Sequence, residues 1–483
     1  MKTNGLALSD GVRAKSGTAQ PSASNAEAAL LAQERDVCSY GDTVHYADRP
    51  KLFTRCLGSF LYDSQDRPYL DLQMLHSSVN LGYGFPRMID AVKRQLDTLP
   101  HLASQYLHRE KIELASRIVE ETEKRFGVKG RVHFNVGGAQ AIEDALKLVR
   151  KYTGRQRMLA FEGGYHGRTL GASSISASYR YREPFGEFGD RAEFLPYPYC
   201  ARCPFGEPRD REWCCQQGPR QVARKFDHEC TGWWNPKTGH AEFGALFLEP
   251  VQGTGGGYVI PPKDYFPRVA EICRAHGILI VDDEVKVGFY RTGKLWAIEH
   301  FDVVPDVIVF GKSLTNGLNP LSGIWAREGL INPEQFEPGM THSTFASNPL
   351  GTAAGLEMMK IFAEENYEPR VQAQGAYLLG LLRELKAKHP AIAHVDGLGL
   401  ALRIELCQPD GVTPNRELAH RILERGLDGH LRIHGQPGGL VLEVSGYDKH
   451  VITLAPSLHI TEDEMNLAYE LLDTLLTECT REG

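Results

Sequence analysis

The feature that most constrains the fold is an alternation of short apolar runs with helix-forming segments between about residues 108 and 326. The apolar runs are typical of buried strands. Strands are expected at residues 131–135, 157–161, 245–249, 278–283, 307–310 and 322–326. Strands that alternate with helices predict an α/β fold with an open, mostly parallel central sheet and helices on both of its faces.

The chain on either side of this region predicts a second, smaller domain. Further strands are expected at residues 57–63, 69–72, 401–406, 440–443 and 451–454. The predicted organisation is a flexible tail (1–27), an N-terminal segment that packs with the small domain (28–90), a large domain (91–346) and a small C-terminal α+β domain (347–483).

Composition excludes several classes of protein. Of the 483 residues, 42% are hydrophobic and 24% are charged, as in ordinary globular α/β proteins. The formal net charge of −7 argues against a nucleic-acid partner. No apolar run approaches the roughly 20 residues that span a bilayer, and residues 1–27 lack the apolar core of a secretory signal. We therefore expect a cytoplasmic protein without a membrane partner.

One lysine lies where a reactive amine is expected. The predicted strand 307–310 is followed directly by Gly311 and Lys312. Burial at the exit of a strand disfavours the ammonium form and leaves a free amine that can attack a carbonyl. A phosphate-binding loop is excluded, because the motif GxxxxGK[ST] would need a glycine at Asp306. The remaining alternative is an ordinary solvated loop lysine.

Other candidate residues also lie at the carboxyl ends of predicted strands, where open α/β sheets bind their ligands. Gly137 and Gly138 precede a helix whose first amides suit a phosphate. Asp283 ends a buried strand and needs a partner such as a protonated pyridine nitrogen, and Tyr165 could stack on a planar ligand. Each feature alone has a structural alternative: packing glycines, an ion pair or a surface turn. Together with Lys312 they predict a pyridoxal 5′-phosphate site.

Four longer motifs follow one another along the chain: LFLEPVQGTGGG (246–257), ILIVDDEVKVGFYRTG (278–293), VIVFGKSLTNGLNPLSG (307–323) and THSTFASNPLGTAAG (341–355). With these motifs, the chain resembles the class III (omega) aminotransferases of fold type I over residues 50–475. The resemblance implies a pyridoxal-phosphate-dependent homodimer with shared active sites. It also implies an amine donor and a 2-oxo acid acceptor as substrates.

The resemblance implies roles for individual residues as well. Lys312 would hold the cofactor as a Schiff base and transfer the proton, Asp283 would keep the pyridine nitrogen protonated, and Val285 would sandwich the ring with Tyr165. Thr344 would reach the phosphate from the partner subunit. The implied cofactor contacts are Gly137, Gly138, Ala139, Tyr165, His166, Glu249, Asp283, Val285, Lys286, Lys312 and Thr344.

Four positions depart from the family's pattern. Gly137 stands where a serine usually binds the phosphate, and Lys286 where a glutamine usually touches the phenolic oxygen of the cofactor. A second ammonium at Lys286 would depress the pKa of neighbouring amines. Thr254 replaces a glutamate, and Thr453 replaces the arginine that many members use for a substrate carboxylate.

The missing arginine favours a ping-pong aminotransferase whose main substrate is an amine or amino sugar without a carboxylate, as in aminoglycoside antibiotic biosynthesis. Arg403 or Arg432 could replace the missing guanidinium, or either could be a solvated surface arginine. Two other functions stay open. One is an epimerase or eliminating enzyme in which Lys312 returns the proton elsewhere, and the other is a cofactor-binding protein without turnover.

A cysteine-rich insertion occupies about residues 197–242. Its C-x2-C spacing and later cysteines could hold zinc or an iron–sulfur cluster, with His228 and His240 as further ligands. The metal candidates are Cys200, Cys203, Cys214, Cys215 and Cys230. We favour an ordered lid or dimer-contact loop instead, because the second cysteine pair is adjacent and its surroundings are polar. Trp233 and Trp234 suggest that the insertion packs near the site entrance.

Overall fold

The computed structural model describes residues 23–39, 41, 45, 47–48, 50–178, 185–186, 192–205 and 211–481, without the side chains of residues 23–26 and 211–216. The helices are α1 (Ala23–Val37), α2 (Met74–Ser77), α3 (Pro86–Thr98), α4 (Arg109–Phe126), α5 (Gly138–Thr153), α6 (Leu170–Ser174), α7 (Arg211–Arg224), α8 (Tyr265–Ala275), α9 (Glu328–Ile331), α10 (Pro349–Glu364), α11 (Tyr367–Lys388), α12 (Arg416–Leu427) and α13 (Glu462–Arg481). Among these described helices, none combines the length and apolarity of a membrane span.

The strands lie between these helices or directly after one another. They are β1 (Phe53–Leu57), β2 (Phe60–Asp63), β3 (Pro68–Asp71), β4 (Gly130–Asn135), β5 (Arg157–Phe161), β6 (Glu193–Leu195), β7 (Trp234–Asn235), β8 (His240–Ala241), β9 (Phe243–Leu248), β10 (Leu279–Asp283), β11 (Val307–Phe310), β12 (Ser322–Arg327), β13 (Ile392–Leu398), β14 (Ala401–Leu406), β15 (Leu431–Ile433), β16 (Gln436–Val441), β17 (Glu443–Ser445) and β18 (Val451–Leu454).

Seven strands form the central sheet in the order β4-β12-β11-β10-β9-β5-β6. Neighbouring strands are parallel except around β12, which runs antiparallel to both β11 and β4. Side chains of β9 and β10 alternate between two hydrophobic clusters: Phe247 and Val281 share one with α5, and Leu246 and Ile280 share the other with α8. This is the predicted α/β architecture, with helices on both faces of a mostly parallel sheet.

The sheet topology brings five strand ends together. Because β12 reverses direction relative to both neighbours, β4 runs the same way as β11, β10, β9 and β5. The carboxyl ends of these five strands therefore lie along one edge, and the loops after them carry the predicted site residues.

The smaller part of the fold contains two further sheets. β13, β14, β18 and β17 form an antiparallel sheet, and β1, β2, β3, β16 and β15 form a sheet in which β3 pairs in parallel with β16 through Leu70 and Leu440. The N-terminal strands thus share a sheet with the C-terminal part of the chain. The domain boundaries stay predictions. Helix α10, which follows the expected boundary at residue 347, packs against α3 and α4.

Some predicted elements are wrong in detail. The single strand expected over 57–63 is divided into β1 and β2 at Gly58, whose φ of +58° ends the extended run and whose amide binds the carbonyl of Tyr83 at 2.9 Å. The strand expected over 440–443 is likewise divided between β16 and β17. Of the predicted tail, residues 1–22 lie outside the described residues, and α1 begins at Ala23.

The tryptophan expected near the site entrance packs elsewhere. The ring of Trp233 is buried between Phe226 and Phe243, with ring centroids 5.1 and 4.8 Å apart. Phe243 begins β9, so this contact lies at the opposite end of that strand from the edge that carries the site residues.

Candidate active site

Lys312 lies at the end of β11, after Gly311, and begins a 3-10 turn over Lys312–Thr315. Its φ of +42° is in the left-handed region, which costs a non-glycine residue about 1 kcal/mol and is found often at functional sites. Burial lowers the pKa of Lys312 to about 8, with a further contribution from the charge of Lys286. A side chain in this state is partly a neutral amine near neutral pH, as a nucleophile and proton acceptor must be.

Asp283 ends β10 and is buried together with His166. The Nδ1 atom of His166 lies 2.7 Å from Oδ2 of Asp283, and Oδ1 accepts a hydrogen bond of 3.1 Å from the amide of Val285. Burial lowers the pKa of His166, but the hydrogen bond and charge of Asp283 outweigh burial and raise it. The carboxylate is therefore oriented from both sides.

Helix α5 begins at Gly138, with Gly137 as its extended N-cap. The amides of the first turn, including that of Ala139, have no acceptors within the helix and suit an anion. A Cβ at Gly138 would lie 3.1 Å from Cγ1 of Val285, so this residue, the second after β10, packs directly on the start of the helix. The predicted phosphate-binding helix start and Val285, which is predicted to stack on the cofactor ring, are therefore neighbours.

Glu249 follows β9 and is buried beneath the glycine turns. Its Oε1 accepts a hydrogen bond of 2.9 Å from the amide of Tyr165, and its Oε2 accepts one of 3.0 Å from the amide of Gly253. Burial raises the pKa of Glu249, although the charge of His166 lowers it and so offsets part of the rise. Glu249 therefore fixes the backbone of the turn that carries Tyr165.

Lys286 belongs to a buried network that the sequence did not predict. Its Nζ lies 3.1 and 3.2 Å from the two carboxylate oxygens of Glu443 in β17. Glu443 also lies 3.0 Å from Nδ1 of His76 and accepts a 3.1 Å hydrogen bond from Thr453. Burial raises the pKa of Glu443, but the charge of Lys286 and the hydrogen bond with His76 hold it well below its usual range. The departures at Lys286 and Thr453 were the sequence signals for this network.

The position of the missing arginine lies in a row across the small sheet. Thr453 in β18 pairs with Arg403 in β14 on one side and with Glu443 in β17 on the other. Arg403 is buried, and its guanidinium donates to Tyr199 and, at 3.0 Å, to Glu405. The other candidate, Arg432, is exposed and donates to the carbonyl of Gly435.

The remaining predicted residues lie apart from this cluster or outside the described residues. Thr344 is exposed. Among the insertion's cysteines with described side chains, Cys200, Cys203 and Cys230 form no disulfide. The side chains of Cys214 and Cys215 are not described. Among described side chains, three or more possible metal ligands converge within 4.8 Å only at Asp48, His420 and Glu424. A metal site that includes Cys214 or Cys215 stays a prediction.

One part of the insertion contacts β14 and the loop that follows it. Nε of Arg202 donates to Glu405 at 2.5 Å, and its NH2 group donates to the carbonyl of Val412 at 3.1 Å. A role for the insertion as a lid or dimer-contact loop stays a prediction.

The residues at the sheet edge fit pyridoxal phosphate: a half-buried amine of lowered pKa at Lys312, a fixed carboxylate at Asp283 and an anion-binding helix start at Gly138. Comparison with known families agrees, because the model of the class III aminotransferases matches residues 44–476. The chain belongs to the class III aminotransferase family. It is therefore a pyridoxal-phosphate-dependent aminotransferase of fold type I.

Relatives of this aminotransferase differ in activity. A probable 4-aminobutyrate aminotransferase of Bacillus subtilis is 33% identical over 423 residues, covering 86% of this chain and 90% of the relative. A leucine/methionine racemase of Thermococcus litoralis is 30% identical, covering 89% and 91%. The structure of an amine transaminase from an uncultivated Pseudomonas species, with pyridoxal phosphate bound, is 27% identical with a TM-score of 0.79 and covers 91% and 97%.

Proposed function

We propose that this aminotransferase takes its amino group from an amine or amino sugar that has no carboxylate, and passes it to a 2-oxo acid. The observation that carries the proposal is the row Arg403–Thr453–Glu443. A threonine occupies the usual arginine position, an acid lies on one side of it, and the arginine on the other side is bound to Glu405 and Tyr199. The carboxylate of an amino donor would therefore find no guanidinium in this row that is free of a protein partner.

The proposed cofactor site consists of the residues at the sheet edge. Bound pyridoxal phosphate supplies an aldehyde for the amine and an electron sink for the carbon that bears it. Lys312 would hold the cofactor and move the proton at its Nζ atom, Asp283 would hold the proton of the pyridine nitrogen, and the first amides of α5 would bind the phosphate. Tyr165 and Val285 would enclose the ring and exclude water.

We infer that the enzyme works as a homodimer in which Thr344 completes the partner's site. Two large apolar side chains near this segment support the dimer: Leu107 is 90% exposed and Phe345 is 71% exposed. A mixture of Lys312→Ala and Thr344→Ala subunits tests this arrangement. If sites are shared, mixed dimers contain one intact site and regain activity that neither variant has alone; a mixture no more active than its components would contradict it.

A matched panel of donors tests the substrate proposal. We expect alanine to form from pyruvate faster with 1-phenylethylamine or an amino sugar than with ornithine or 4-aminobutyrate, and the amino sugar tests the narrower aminoglycoside-type assignment. The variant Thr453→Arg restores the usual guanidinium and should shift the preference toward carboxylate-bearing donors. Faster turnover of carboxylate-bearing donors by the wild type would overturn the proposal.

A second candidate function is an epimerase, because racemases are among the relatives with 30% identity. An epimerase returns the proton to the carbon from which Lys312 removed it, without transferring the amino group. Exchange of that proton for deuterium in D2O, with no alanine formed from pyruvate, would favour the epimerase over the aminotransferase activity.

A further inference from the structure

The ion pair between Lys286 and Glu443 is buried next to the proposed site. Lys286 is 6% exposed, and Glu443 is 9% exposed. Removing two charges from water costs several kcal/mol per ion unless close partners compensate. Here the carboxylate of Glu443 is partnered by Lys286, His76 and Thr453, all within 3.2 Å. The Lys286 ammonium is therefore a fixed positive charge beside the proposed cofactor lysine, Lys312.

The local structure holds the Lys286 side chain in one place. Its stem passes over Gly253, where a Cβ would lie only 2.6 Å from Cδ of Lys286. Its ammonium lies 5.0 Å from the ring centroid of Tyr258, at a distance typical of a cation–π contact. Contacts with Gly253, the ring of Tyr258 and the carboxylate of Glu443 together restrict the Lys286 ammonium to one position.

Lys286 and the half-buried Lys312 follow neighbouring parallel strands, since Asp283 in β10 lies opposite Val309 in β11, and like charges at this shared edge repel each other. Burial by itself favours the neutral form of each. At Lys286 the charge of Glu443 outweighs burial, so the pKa of Lys286 is raised. At Lys312 burial and the charge of Lys286 together lower the pKa. Other charged or titratable groups near the pair are Asp283, Glu249, Tyr258 and His76. Glu443 thus determines which of the two amines keeps its proton.

We propose that Lys286 is a positioning residue of this site: its ammonium, fixed by Glu443, is a permanent positive charge that disfavours a second ammonium at Lys312. The Lys312 amine is consequently free to accept a proton or attack a carbonyl at a pH where an isolated lysine is charged. The inference rests on the proposed role of Lys312, and it assigns a charge where relatives usually have a neutral glutamine.

The test is the pH dependence of cofactor uptake by the cofactor-free protein. Uptake requires neutral Lys312, so the rate at which visible absorbance appears after adding pyridoxal phosphate should rise with a midpoint near the Lys312 pKa of about 8. We expect Lys286→Gln to raise this midpoint by about 1 pH unit, and Lys286→Arg, which keeps the charge, to leave it near the wild-type value.

A lysine from the same loop provides the control. Lys294 forms its own ion pair with Glu368, and its charge is not among those that act most on Lys312, so Lys294→Gln should not move the midpoint. If Lys286→Gln does not fold, the double variant Lys286→Gln/Glu443→Gln leaves no unpaired buried charge. Its midpoint should lie between those expected for the wild type and the single variant, because Lys286 acts on Lys312 more strongly than Glu443 does.

The outcomes separate this inference from the proposed function. Absorbance that persists in Lys312→Ala would show that Lys312 is not the cofactor lysine, which is a failure of the proposed function. Absorbance that is lost in Lys312→Ala, together with a wild-type midpoint in the folded Lys286→Gln or double variant, would overturn the role of Lys286 alone.

Discussion

The Nδ1 atom of His166 lies 2.7 Å from Oδ2 of Asp283, and this hydrogen bond joins the turn after β5 to the end of β10. The two residues are 117 positions apart in the chain. Because the other carboxylate oxygen accepts the amide of Val285, both oxygens of Asp283 are used inside the protein. An acid held in this way keeps its orientation whether or not a cofactor is bound.

Replacing His166 should show how much its hydrogen bond with Asp283 contributes to stability. We expect His166→Leu to lower the free energy of unfolding by about 1.5–3 kcal/mol, since a buried hydrogen bond to a charged group is lost. The pKa of His166 is raised above 6.5 in the folded protein, so its charge contributes stability that is complete below that pH and is lost as pH rises through the folded pKa. Urea unfolding should therefore show a larger deficit for the variant in acidic than in alkaline buffer.

His166→Gln, which keeps an amide donor, serves as the comparison for that substitution and should be the less damaged variant. An equal deficit for His166→Leu at both pH extremes would argue against a charged His166.

Loss of Lys312 should remove both absorbance and turnover. In Lys312→Ala, added pyridoxal phosphate should give no stable visible band, and the rate of alanine formation should fall by at least about 100-fold, the usual contribution of a positioned acid–base group. Lys294→Gln, which removes a lysine charge paired with Glu368 instead, is the control. Retained turnover in Lys312→Ala would assign the chemistry to another amine.

Adding a hydroxyl at Gly137 should strengthen cofactor binding. Gly137 is extended, with φ −149°, so any residue can adopt its backbone conformation. A Cβ there would meet only the Oε1 end of the Gln140 side chain, at 2.5 Å, and that end can move. We expect Gly137→Ser to tighten pyridoxal phosphate binding by about 1 kcal/mol through one added hydrogen bond.

Equilibrium titration of cofactor-free protein measures this effect, with Gly137→Ala as the control that adds a methyl group without a hydroxyl. Weaker binding by the serine variant than by the alanine variant would place the phosphate elsewhere.

The opposite face of β10 carries two buried acids, Asp282 and Glu284. Burial raises the pKa of both groups. Glu284 raises the pKa of Asp282 further, whereas the interaction with Asp282 offsets part of the rise at Glu284. At these two groups the folded protein holds more protons than the unfolded chain above about pH 4, so their contribution to the free energy of unfolding should fall as pH rises. We expect Asp282→Asn to flatten this fall and to stabilise the protein by about 1–3 kcal/mol in alkaline buffer.

Asp302→Asn is a suitable comparison for Asp282→Asn, since Asp302 forms an exposed ion pair with Lys263 and should contribute little to stability. Thermal melts over a series of pH values measure both variants. A steeper fall of stability with pH in Asp282→Asn than in the wild type would contradict the raised pKa of Asp282.

Local pattern was sufficient for most of the large domain. Apolar runs marked β5 and β11 at their observed bounds, because a strand buried on both faces must be apolar along its length. The same pattern did not reveal that β12 is antiparallel to its neighbours, because the spacing of apolar residues along a buried strand does not depend on the strand's direction. The division at Gly58 was missed because a glycine within an apolar run is compatible with an unbroken strand as well as with a positive φ.

The sequence by itself determined the sheet, the family, and the candidate residues at the strand ends, because parallel strands bring their carboxyl ends to one edge whatever lies between them. Only the tertiary structure decided how those residues are partnered. The pairs His166–Asp283 and Lys286–Glu443 join segments 117 and 157 residues apart, and Arg403 proved to be bound to Glu405 rather than exposed to solvent. Such pairings depend on which buried side chains meet when distant elements pack, and the ionisation of Lys312 depends on them in turn.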